Sequence, residues 1–208
     1  MGIVGWISLG TIIVVITSVL AVIVFGSSGE TSIMTDAKLD QTPEAQLVWV
    51  GSGTAWRHEK NEWVRTPEQD YEFLVRQNRF ADLWESLKVQ NRTAADYDGA
   101  AGDADQQHFF QIQYGEQNAE GALPVTVRST YGDGHGTSDL DYKRAVLEIN
   151  ADVSRFAPYN TIRIEQDYDY QEGVLTETVL LLEVSKDGEE QPFVRIDERA
   201  RIFRPAGS

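Results

Sequence analysis

The chain has 208 residues, a formal net charge of −15 and no cysteine. A surface this acidic repels phosphate backbones, which argues against nucleic acid as a partner. The missing thiols exclude disulfides, thiolate metal sites and cysteine nucleophiles.

The first signal along the chain is the uncharged run from Ile3 to Phe25. A helix rising about 1.5 Å per residue carries such a run across a hydrocarbon core of about 30 Å. The run is too long for a signal-peptide core and no Lys or Arg precedes it. A retained transmembrane helix over 1–28 is therefore preferred to a cleaved leader. Thr17 and Ala21, one turn apart, form its smallest face for contact with partner helices. Residues 29–46 are polar and rich in small side chains, and read as a juxtamembrane linker. The expected location is a single-pass membrane one, with a single extramembrane domain over 47–208 on the extracytoplasmic, periplasmic side.

That domain opens with Leu47 to Val50 (LVWV), read as a short strand turned by Gly51-Ser52-Gly53. Trp49, Trp56 and Trp63 follow closely and are candidate partner-facing aromatics. Thr66-Pro67 with Gln69 has the form of a capping box. Tyr71, Leu74, Val75, Phe80, Leu83, Trp84 and Leu87 then recur at three- and four-residue steps, which predicts an amphipathic helix running to Val89. Asp96, Asp98, Asp103 and Asp105 lie among Gly and Ala without calcium-loop spacing, so a solvated acidic loop is the simpler reading.

Beyond this the period changes to two. Phe110, Ile112 and Tyr114 share one face, and Val125 and Val127 follow. The glycine-rich stretch Tyr131 to Asp139 reads as a loop. His135 with Asp133, Asp139 and Asp141 resembles an acid–base or hard-metal cluster, but His135 lacks an orienting partner, and a solvated hairpin loop is preferred. Strict alternation over Tyr142–Val153 and Asn160–Tyr170, the apolar run Val174–Val184 and the turn Lys186-Asp187-Gly188 before Pro192–Phe203 predict a four-strand antiparallel meander. The last strand carries Arg195, Arg199 and Arg201 on one face, with Arg204 beyond. They suit either clamping of a partner's carboxylates or cross-strand pairing with Glu177 and Glu183.

The expected fold class is α+β: a transmembrane helix, then a curled antiparallel sheet packed on one amphipathic helix. No catalytic constellation, cofactor motif or metal-ligand spacing emerges. The expected function is a non-catalytic accessory subunit of a larger respiratory, photosynthetic or secretion-type membrane complex, with membrane lipids and other integral subunits as partners. The alternative is a membrane-anchored binding module that holds a lipid or small ligand in the concave face of the sheet.

Overall fold

The computed structural model describes residues 42–93 and 107–204. Eleven antiparallel strands form one sheet: β1 (Ala45–Glu59), β2 (Glu62–Arg65), β3 (Tyr71–Arg79), β4 (Leu83–Gln90), β5 (Gln107–Tyr114), β6 (Leu123–Ser129), β7 (Gly132–Ser138), β8 (Arg144–Asn150), β9 (Thr161–Asp169), β10 (Val174–Val184) and β11 (Glu190–Ile202). From β3 to β11 each strand pairs with the next, and β1 pairs with both β3 and β11. All strands but β2 thus close into an up-and-down barrel, and closure removes the two edges that an open sheet would present. The short β2 folds back on the far end of β1 through a tight turn, with Lys60 and Asn61 at φ 49° and 68°. Among the described residues helical structure is confined to a three-residue 3-10 turn at Pro67–Gln69 and a single turn, α1 (Val153–Phe156). In α1 the Asp152 carboxylate accepts the backbone N–H of Ser154 at 3.0 Å.

This is an all-β barrel, and the expectation of an α+β fold with a sheet packed on an amphipathic helix is corrected. The segment expected to be that helix is the β3–β4 hairpin. Its helical spacing arises because both faces of these strands carry apolar residues. Inward Tyr71, Phe73 and Val75 are interleaved with outward Leu74, and Leu74 is itself buried. Mixing two period-two faces yields steps of three and four. The capping signature is local only, because Thr66 makes no side-chain cap and the turn stops at Gln69.

The single-pass membrane location is corrected as well: among the described residues no helix is long and apolar enough to cross a membrane. Ile3–Phe25, Thr17, Ala21 and the aspartate-rich stretch at 94–106 lie outside those residues. The barrel wall also has the opposite polarity to a lipid-facing one, whose outward band is apolar. Its interior is the apolar side, holding Ile112, Val125, Val127, Leu147, Ile149, Ile162 and Ile164, while Arg163, Glu165, Asp167 and Arg199 point outward.

Two further readings change. Gly51 and Gly53 do not turn the chain but lie within β1. A Cβ on Gly51 would come within 2.4 Å of the Arg199 carbonyl, and one on Gly53 within 2.6 Å of the Tyr71 ring, so both sites accept only hydrogen. The stretch expected to be a glycine loop is β7. Gly134 and Gly136 face inward, and a Cβ on either would lie about 2 Å from a β8 carbonyl oxygen. The C-terminal meander forms as β8 to β11, with the expected turn at Lys186–Gly188.

Candidate functional site

The barrel encloses a cavity of about 90 Å³ walled by aromatic and aliphatic side chains, among them Trp49, Phe110, Leu147, Ile164, Tyr168 and Val179. Polar groups reach it from one continuous row of the sheet. Gln166 of β9 is the registered partner of Glu177 on β10, Glu177 of Glu198 on β11, Glu198 of Gly53 on β1, and Gly53 of Tyr71 on β3. Because Gly53 has no side chain, the Tyr71 ring lies over it, and its hydroxyl donates to Glu198 Oε1. Lys88, rising from β4, makes an ion pair with the same oxygen. Gln166 Nε2 donates to Glu177 Oε1. The Lys88 ammonium also lies 4.4 Å from the Phe73 ring centroid.

Burial sets the protonation of this row. It acts first on Glu177, penalising the charged carboxylate, and the neighbouring Glu198 charge adds to it; together they push Glu177 up to about 8. Burial opposes ionisation of Glu198 as well. There the Lys88 charge and the hydrogen bonds from Glu177, Lys88 and Tyr71 prevail and hold it below the usual carboxylate range. Near neutral pH the pair therefore carries one proton, on Glu177, and one negative charge, on Glu198. Oε2 of Glu198 is buried without a hydrogen-bond partner among the fixed N–H and hydroxyl donors, and the protonated Glu177 carboxyl donates to the Glu198 carboxylate. Burial likewise raises Tyr71, with the Glu198 charge adding to the effect, so Tyr71 stays a phenol and a donor.

His108 pairs in register with Lys88 and stacks on Tyr131 at 5.3 Å. It is 3% exposed, and burial, then the Lys88 charge, lower it to about 3, so it is a neutral imidazole. Phe156 of α1 also packs on Tyr131, at 5.6 Å, and is buried there. A second polar string centres on Gln77. Gln77 Oε1 accepts from Trp49 Nε1 at 3.4 Å and Arg79 Nε at 3.1 Å, while its amide donates to Ser86 at 3.3 Å. The Arg79 guanidinium stacks 3.8 Å from the Trp84 ring within a group that includes Tyr168 and Tyr170.

The residues expected at a partner surface separate. Trp49 is 1% exposed and lines the cavity. Trp56 and Trp63 lie half-buried on the β1–β2 extension, Trp56 beneath Arg65 at 5.4 Å and Trp63 beside His58 at 5.0 Å. Register places Trp56 next to Arg195, which bonds Asp197 at 2.8 Å. Arg199, Arg201 and Arg204 are exposed, and Glu177 cannot pair with them because it faces the opposite side of the sheet. His135 is exposed on β7, registered between Thr126 and Glu148. Among the described residues no three His, Asp or Glu side chains come together as a metal site.

The interior row escaped the sequence reading, although its signal is present. Glu177 falls in phase with Leu175, Val179 and Leu181, and Glu198 with Val194, Ile196 and Ala200. An acid in the apolar phase of a strand marks a buried carboxyl. What the fold defines is a closed antiparallel barrel with an apolar chamber and a carboxyl pair on its wall. No protein-family model matches the chain, and no curated protein matches it in sequence.

Proposed function

We propose that this barrel is a non-catalytic binding module that takes a small, partly apolar organic molecule into its interior. The carrying observation is the cavity inside the barrel, onto which a few polar groups converge from an otherwise apolar wall. Barrels of about eight strands leave room for one small ligand, and a cavity of about 150 Å³ accommodates benzene, so this one suits a molecule of a few carbon atoms. Catalysis is disfavoured because Glu198 is committed to Lys88 and Tyr71, and a carboxylate so paired is a weak base. The accessory-subunit reading drew on Trp49, Trp56 and Trp63 as docking aromatics beside a transmembrane helix; Trp49 instead lines the cavity, which favours the binding module.

The test is calorimetric titration of the full chain with three four-carbon probes, 1-butanol, butyrate and butylammonium. Saturable binding of at least one is expected, and its loss in Val179→Phe with the thermal midpoint retained would place the probe in the chamber. Saturation by none of the three would refute the proposal.

A further inference from the structure

Among the described residues two carboxyl groups and one ammonium line the chamber, while the other interior cation, the Arg79 guanidinium, is engaged with Gln77 and the Trp84 and Tyr168 rings and is not part of the chamber lining. The proton on Glu177 stands where a second cation would. Glu198, with 2% of its side chain exposed, lines the chamber wall, and its Oε2 is buried without a fixed partner, served only by the Glu177 proton that an entering cation would replace. The chamber that holds the pair is also lined by Trp49, Tyr71, Phe110, Tyr131 and Tyr168, and aromatic rings attract a cation through their quadrupole. Lys88, set against the Phe73 ring and Glu198, shows the same arrangement satisfied within the chain.

Resting on the binding-module reading, we propose that the chamber selects a small organic ammonium ion, its charge between Glu177 and Glu198 and its carbon substituents against the apolar wall. On entry the ligand N–H groups bond to the carboxylates, and Glu177 gives up its proton to solvent. Charge balances, since one cation enters and one proton leaves. The charged or titratable groups facing Glu177 are Glu198 from β11, Lys88 from β4, Tyr71 from β3 and Tyr168 from β9. Glu177, raised to about 8, exchanges its proton near neutrality.

The same titrations decide this, run near pH 7 in buffers of different ionisation enthalpy. Butylammonium is expected to bind about tenfold tighter than 1-butanol and to release about one proton. Its affinity should fall up to about tenfold for each pH unit below about 8, because ligand and proton compete. Glu177→Gln should abolish the proton release and bring the two affinities together. Butanol binding as tightly as butylammonium, butyrate binding tightest, or butylammonium binding without proton release would each overturn the ammonium assignment while leaving the binding module intact. Saturation by no probe would overturn both.

Discussion

Exchanging Glu177 for Gln should change how stability depends on pH, and the sign follows from two groups of the barrel interior with opposite shifts. Glu177 is raised in the folded state from 4.5 to about 8. Its contribution is fully present below about pH 4.5 and is lost as pH rises through 8. His108 is lowered from 6.5 to about 3. Its contribution is present above about pH 6.5 and is lost as pH falls through 3. Between 4.5 and 6.5 the two slopes oppose each other and nearly cancel. From 6.5 to 8 Glu177 acts alone among the two, at up to about 1.4 kcal/mol per pH unit, so about 2 kcal/mol is lost across that window. With a urea slope of about 2 kcal/mol/M, the midpoint should drop by about 1 M. Urea unfolding of the full chain at half-unit pH steps measures this directly. In Glu177→Gln the fall above pH 6.5 should vanish. A wild-type profile flat from 6.5 to 8, or a variant that runs parallel to wild type, would refute the protonated assignment of Glu177.

Lys88→Met should destabilise the fold by about 3 kcal/mol near pH 7, because it leaves Glu198 buried without its cation, and Lys88→Met with Glu198→Gln should recover part of the loss; equal stability of the single variant and wild type in urea would contradict the ion pair. Gly136→Ala drives a methyl to about 2 Å from the Val146 carbonyl oxygen, so roughly 3 kcal/mol or more should be lost and the β7–β8 amides should lose hydrogen-exchange protection. Arg199→Glu with Arg201→Glu should change stability by no more than about 0.5 kcal/mol, as befits exposed side chains that do not pair with Glu177. A large loss in chemical denaturation would show that they hold the sheet together.

The meander β8 to β11 was legible because its strands are apolar on one face and charged on the other, and its turns carry their own chemistry, as in Lys186-Asp187-Gly188. Legibility failed where that contrast fails. In β3 and β4 outward Leu74 and Val89 are buried beside an inward face that carries Gln77, Ser86, Lys88 and Gln90, so neither parity is purely apolar. β7 offers glycine where other strands offer Val or Ile, since its inward positions lie against the β8 backbone. Trp49 looked like a surface aromatic because no local pattern distinguishes a wall residue of a cavity from a docking residue. Closure itself has no local signature: it rests on β1 meeting β11, two segments at opposite ends of the described chain.

That meeting has a kinetic meaning. Tyr71 and Glu198 are 127 residues apart, and Lys88 and Glu198 are 110 apart. Every hairpin from β3 to β11 can form from neighbours, whereas the seam joins only after the whole ribbon has curled, and such distant contacts make folding slow. Until then Glu198 and Lys88 are hydrated separately, and β1 and β11 offer open edges to other chains. The clasp at the seam therefore acts as a latch on the finished barrel. Weakening it should leave the folding rate nearly unchanged and quicken unfolding, with the first opening at the joint between the first strand and the last.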